Sequence, residues 1–337
     1  MYSVIKNYTE PFYHSNILNF YFEDLKIGVI DIETTGLSPD RSRFILGGLV
    51  VPKFGEKKLL QFFAETKEQE SEILEAYQAE LNQIDILINY NGDGFDLPFL
   101  SRRLQRQGMS CISHGDGSFP LQQSFDLYRV IDRYSSLRKL LPNLKQKTVE
   151  TFLGLWTDRA DEISGAESVE LYHNFLSTRD PKLREIILLH NSDDLLQLSR
   201  LMKILEKVDL HRIMFHNGFL VSHERKKALI RGITLRKDSV TITGIHNIIS
   251  MDYRSYLPGY EAEFLTYDHS FTIKIPWKMK KGFFYIDLDD FSMDSSIFEK
   301  YPACQSGFLL LKDDTEIHYA EINHLVKLIL KEILASL

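Results

Sequence analysis

The stretch KIGVIDIETTGLSP, residues 26–39, constrains the fold more than any other part of the chain. It begins as an apolar strand and ends in a turn, with Asp31 and Glu33 close to the strand's end. Strand side chains alternate between faces, so two carboxylates at i and i+2 point to the same side. Like charges held together push up the pKa of one of them unless a cation lies between them. The pair therefore asks either for a metal ion or for a solvent-facing position that makes it harmless.

The following segments supply the rest of a sheet. RFILGGLVV (43–51) and KKLLQFFAE (57–65) read as strands separated by the turn signal PKFGE, giving a three-strand meander with 27–32. Residues 68–84 change to helical spacing, with Ile73, Leu74, Tyr77 and Leu81 on one stripe. DILINYNG (85–92) is a short buried strand, and 97–108 is a helix ended by Gly108. A strand–helix–strand unit after a meander predicts an α/β fold with a mixed sheet covered by helices. Residues 124–134 and 136–155 read as mostly helical, and 180–208 as strongly helical with a break near His190. After about 215 the pattern alternates polar and apolar residues between turn signals, which predicts antiparallel strands in a small barrel or sandwich. An amphipathic helix, 315–334, closes it. The expected domains are 1–214, with an N-terminal extension, and a β-rich 215–337 ending in that helix.

The charge balance restricts the partners. With 337 residues and a net charge of -7, the chain is not held to nucleic acid by bulk positive charge, although a local groove or bound metals can still engage phosphates. Cys111 and Cys304 form no disulfide framework and fit a reducing compartment. The N-terminus lacks the basic-then-apolar pattern of a signal peptide, and no apolar run approaches a membrane span. The expected location is cytoplasmic.

Three segments carry acids that a buried scaffold does not require: Asp31 with Glu33, Asp96 in NYNGDGFDLPFL, and LLHNSDDLLQL, where His190 and Asp194 stand at i and i+4 on one helical face. Four carboxylates from distant segments are suited to hard divalent ions such as Mg²⁺ or Mn²⁺, and two such ions can activate water against a phosphodiester. Singly, each has a plainer reading. Asp96 suits a helix N-cap, His190 a structural histidine, and Asp193 with Asp194 a solvated helix face. His190 with Asp193, at i and i+3, is an alternative pair.

Taken together, these motifs resemble the DnaQ-like exonuclease branch of the ribonuclease H-like superfamily, closest to its YprB-type domain, over roughly residues 26–205. DIETTGL resembles the first exonuclease motif, YNGDGFDLPFL the second and HNSDDLLQL the third. One departure is the spacing within the third motif. Three residues separate His190 from Asp194, whereas many histidine-type relatives have four and the shorter spacing is typical of tyrosine-type motifs. The resemblance implies a ribonuclease H-like mixed sheet flanked by helices and a metal-dependent 3′–5′ exonuclease acting on DNA or RNA. It places Asp31, Glu33, Asp96 and Asp194 on two Mg²⁺ or Mn²⁺ ions, with His190 as general base. It also places Asn91 and Phe95 beside the pocket and Thr34 and Thr35 near a terminal nucleotide, with single-stranded or end-frayed nucleic acid as partner. Arg102 and Arg106 share a helix face that suits either phosphate or solvent, and Asp126 reads as a supporting acid. Other readings are a non-catalytic binding or scaffold protein retaining the fold, and an endonuclease with the same metal site. In the C-terminal part, Tyr253, Arg254, Trp277, Lys278, Lys280 and Lys281 suit either a nucleic-acid strand or the ordinary structure of a β domain.

Overall fold

The structure, a computed structural model, describes residues 1–53, 55–109, 121–155, 160, 163–247 and 251–337. Cys111 lies outside the described residues; Cys304 is a free, partly exposed thiol. Contacts divide the chain into two compact units, Met1–Ser113 with Gln122–Val208, and a second containing Asp209–Leu337.

The first unit contains strands β1 (Tyr2–Tyr8), β2 (Ile27–Thr34), β3 (Phe44–Lys53), β4 (Glu56–Phe63), β5 (Ile86–Asn89) and β6 (Gln123–Asp126). Its helices are α1 (Asn16–Phe22), α2 (Glu70–Leu81), α3 (Asp96–Arg106), α4 (Leu127–Tyr134), α5 (Leu137–Leu140), α6 (Gln146–Phe152), α7 (Gly165–Thr178) and α8 (Pro181–Leu201). The sheet order is β1-β4-β3-β2-β5-β6. The meander β2-β3-β4 is antiparallel, and β2-β5-β6 run parallel, so the sheet is mixed. The sheet strands contribute to two cores. Ile30 and Ile32 pack with Ile73, Leu74, Tyr77 and Leu100 of α2 and α3, whereas Ile45 and Phe63 pack with Tyr172, Phe175, Ile187 and Leu188 of α7 and α8.

Three sequence expectations need correction. Residues 124–126 complete β6, pairing in parallel with β5, because the run before Leu127 is short and Asp126 caps the helix that follows by accepting from Tyr128 N. Pro142 falls between two short helices, α5 and α6, within 136–155. Helix α8 does not break at His190. It runs unbroken from Pro181 at its first turn, started by the Asp180 cap, and contains no glycine or internal proline to interrupt it.

The second unit contains α9 (Leu210–Asn217), β7 (Leu220–His223), β8 (Lys226–Leu235), β9 (Ser239–His246), β10 (Tyr253–Tyr256), β11 (Glu261–Phe264), β12 (Ser270–Pro276), β13 (Lys278–Lys280), β14 (Phe283–Asp287), β15 (Cys304–Gln305), β16 (Phe308–Lys312) and α10 (Tyr319–Ser336). All its strand pairs are antiparallel, in open sheets ordered β10-β11-β12-β9-β8-β7 and β13-β14-β16-β15. Among the described residues the strands form open sheets and not the closed barrel that the sequence pattern allowed. Helix α10 is the expected closing helix.

A buried ion pair ties the first unit together. Glu70, at the start of α2, accepts from Arg103 Nε and Nη2 of α3 (2.7 and 2.6 Å) and from Phe44 N of β3 (2.8 Å). Replacing Glu70 with Ala leaves the Arg103 guanidinium buried beside an unpaired Phe44 N–H, and such losses cost about 3–5 kcal/mol. Urea unfolding of Glu70→Ala is expected to show a loss of this size; a loss below ~1 kcal/mol contradicts it.

Candidate active site

Asp31 and Glu33 lie on the face of β2 opposite Ile30 and Ile32, toward α7 and α8. Strand β2 has a register shift between Glu33 and Thr34, after which the chain turns. Thr34 Oγ1 donates to Gly36 O, and Thr35 Oγ1 accepts from Arg43 N, so both hydroxyls help to shape this turn. Asn91 adopts φ 61°, a conformation asparagine tolerates. Its N–H donates to Asp126 Oδ1 (2.8 Å), while Gly92 N donates to Asn89 Oδ1. These bonds fix the loop that delivers Asp96 as the first residue of α3. Asp96 is not a side-chain cap; Phe95 occupies the cap position.

The segments meet around one cleft of about 1090 Å³, lined by Asp31, Glu33, Thr34, Thr35, Asn91, Phe95, Asp96, His190 and Asp194, among others. His190 Nε2 lies 3.7 Å from Glu33 Oε1 and 3.6 Å from Asp194 Oδ2. Asp193 turns elsewhere, its Oδ2 accepting from Ala160 N (2.7 Å). The histidine's carboxylate partner on α8 is therefore Asp194. Arg102 and Arg106 do not line the cleft; both bind Asp40 Oδ1, at 2.9 and 3.2 Å.

Burial raises the Asp31 carboxyl well above the ordinary aspartate range, and Asp96, Asp194 and Glu33 raise it further, against the opposing bond from Asn191. Burial also pushes Glu33 up to about 7, although the nearby His190 opposes this. Asp96 is likewise pushed up to about 7 by burial, against backbone N–H groups of Asp96 and Ile32. An all-oxygen set of crowded carboxylates is the donor chemistry that hard divalent cations such as Mg²⁺ or Mn²⁺ favour.

The sign of the pH effect follows. Acids whose folded pKa is raised bind more protons in the folded state, so their contribution is full below the unfolded values near 4 and is lost as pH rises through about 7. The metal-free chain is expected to melt at a lower temperature at pH 8 than at pH 6, and added Mn²⁺ to raise the pH 8 value. Circular dichroism melts check this; a metal-free melting temperature that rises from pH 6 to pH 8 contradicts it.

Several groups at the cleft escaped the sequence reading. Lys145, Gln146 and Lys147 line one wall, and the basic run KQK was their signal. Gln146 Nε2 donates to Asp194 O (3.0 Å). Ser168 of α7 donates to Glu33 Oε2 (3.1 Å), and Asn191 Nδ2 donates to Asp31 Oδ2 (2.8 Å). Asn191 lies inside the HNSDDLLQL motif but was not singled out there, and Ser168 was not singled out either.

In the second unit, Asp313, Glu316 and His318 each offer a donor atom within 4.8 Å of the other two, a group that can coordinate a metal. Asp313 is also the acceptor of a turn, taking bonds from Thr315 N, Thr315 Oγ1 and Glu316 N. Among the described residues no helix is long and apolar enough to cross a membrane.

A family model described as the RNase H superfamily matches residues 29–206. DNA polymerases of Pyrococcus glycovorans and Thermococcus sp. (strain GE8) are each 29% identical over 140 residues, which is 34% of this chain and 18% and 8% of those proteins. The chain thus spans less than a fifth of these relatives. The structure of the family B DNA polymerase from Pyrobaculum calidifontis aligns with a TM-score of 0.43 and 19% identity, over 54% of this chain and 24% of that one. The E. coli Exonuclease I structure in complex with a dT13 oligonucleotide aligns with a TM-score of 0.36 and 12% identity, over 65% and 55%.

Proposed function

Because the chain belongs to the RNase H superfamily, we propose that its acidic cleft is the active site of a metal-dependent nuclease, specifically a 3′–5′ exonuclease of the DnaQ-like branch close to the YprB-type domain. The observation carrying this reading is that four carboxylates and a histidine, from three distant segments, line one cleft. In this reading the first unit is the catalytic domain and the second, from Asp209, a separate β-rich domain, which moves the expected 214/215 boundary to the start of α9.

Asp31, Glu33, Asp96 and Asp194 would hold two Mg²⁺ or Mn²⁺ ions. When bound, the ions supply positive charge that favours an attacking hydroxide and the departing 3′ oxygen of a phosphodiester. His190, beside Glu33 and Asp194, takes the proton from the attacking water through its imidazole. Thr34, Thr35, Asn91 and Phe95 border the space for the terminal nucleotide. Lys145 and Lys147 bring positive charge to an otherwise acidic cleft and meet the phosphates of a single-stranded or frayed end. Arg102 and Arg106, held by Asp40, have no part in this contact.

Digestion of 5′-labelled linear DNA and RNA strands with Mn²⁺, beside circular single strands, tests the proposal. A ladder shortening from the 3′ end, with circles left intact, supports it. Cut circles would instead identify an endonuclease. Absence of cleavage of every substrate overturns the nuclease reading.

A further inference from the structure

Asp31, Gly48 and Gln61 form a row across three adjacent antiparallel strands. Asp31 of β2 pairs with Gly48 of β3, which pairs in turn with Gln61 of β4. Two strand spacings separate the outer members by about 10 Å, beyond direct hydrogen bonding. Gly48 leaves the space above the row open, and Asn191 of α8 occupies it. A Cβ on residue 48 would lie 2.2 Å from Asn191 Oδ1 and 2.5 Å from Leu195 Cδ1.

The hydrogen bonds along this row run in one direction. Leu188 O is a backbone acceptor of fixed polarity, and Gln61 Nε2 donates to it at 2.8 Å. The same Nε2 donates to Asn191 Oδ1 at 2.8 Å. With its oxygen so engaged, Asn191 must turn its amide nitrogen toward Asp31, where Nδ2 donates to Oδ2 at 2.8 Å. A flipped Asn191 would set its carbonyl oxygen against the Asp31 carboxylate and its NH₂ against that of Gln61. Both amides are buried, Asn191 at 0% and Gln61 at 2% exposure, so no bulk solvent competes for these bonds.

We propose that Asn191, oriented by Gln61 through the gap at Gly48, is the positioning residue that holds Asp31 in its metal-binding rotamer, with Oδ2 engaged and Oδ1 left for a divalent cation. This rests on the metal reading of the cleft. Asn191 acts through Asp31, and Gln61 acts only through Asn191. Partners of this kind commonly change metal affinity 10- to 100-fold when removed.

The test is Mn²⁺ titration calorimetry of the wild type, Asn191→Ala, Gln61→Met and the double variant, with thermal melts to establish that each folds. Asn191→Ala is expected to weaken Mn²⁺ binding ~10-fold or more, and Gln61→Met to weaken it in the same direction. The double variant should bind no more weakly than Asn191→Ala, a dependence that general loosening of the core does not produce. Unchanged affinity in Asn191→Ala, or losses that simply add, overturns the proposal. If Asn191→Ala does not fold, Gln61→Met decides: weakened binding supports the assignment and wild-type affinity overturns it. Wild-type protein that binds no Mn²⁺ overturns the metal reading and this assignment together, whereas wild-type binding matched by Asn191→Ala overturns the assignment alone.

Discussion

Asp31→Asn is expected to lower phosphodiester hydrolysis by ~10³-fold or more while leaving the metal-free chain at least as stable as wild type at pH 8. The two effects have a common origin. Asp31 is partly buried in the cleft wall and faces Asp96, Asp194 and Glu33, so its charged form is disfavoured unless a cation joins the group. An amide of the same shape removes that repulsion, and with it one of the oxygens offered to the metals. Asn191 Nδ2, which donates to Asp31 Oδ2, can still donate to the new side-chain oxygen. Activity at a tenth of the wild-type rate or above, or a drop in melting temperature large enough to account for lost activity, contradicts the proposed role of Asp31.

His190→Gln is expected to lower turnover by about 10²- to 10⁴-fold, the range for loss of a general base, with Mn²⁺ affinity kept within a few-fold. Its imidazole lies beside Glu33 and Asp194, at distances of 3.7 and 3.6 Å, and is buried at the edge of the cleft. Glutamine preserves polarity and approximate length but cannot accept a proton from water at neutral pH. Single-turnover rates separate this from a role in metal binding. Measured at saturating Mn²⁺, the variant should stay slow even though its metal site is full. A loss of Mn²⁺ affinity matching the loss of rate would make His190 a support for the carboxylates instead.

The sequence exposed the parts of this site that depend on local periodicity. The i, i+2 relation put Asp31 and Glu33 on one face of β2, and the i, i+4 relation put His190 beside Asp194. Both relations hold in the structure because they are set by strand and helix geometry alone. The meander, α2, α3 and α10 were legible for the same reason. What depended on distant neighbours was not. Arg102 and Arg106 have the spacing of a phosphate-binding face, yet a carboxylate from the 36–43 turn, Asp40, holds both. Asp193 and Asp194 both stand within helical reach of His190 in the sequence, and the structure separates them, with Asp193 bonded to Ala160 N and Asp194 beside His190. Strand β1 is largely exposed and pairs with β4 some 50 residues on, so its short run of alternating residues carried little signal. Ser168 and Asn191 are ordinary polar residues on helices until the sheet places a carboxylate opposite each.

If crowded carboxylates are held ready for metal, cation binding must displace the protons that burial keeps on them. Glu33 and Asp96 stand near 7 and Asp31 is raised as well, so at pH 6.5 much of the group is protonated before metal arrives. Titrating Mn²⁺ calorimetrically at pH 6.5, in two buffers of different ionisation enthalpy, counts the protons released. Saturable binding with release of ~1 proton or more per chain, declining toward pH 8.5, is the expected result. No saturable binding, or binding without proton release at pH 6.5, would contradict a metal site built on Asp31, Glu33 and Asp96.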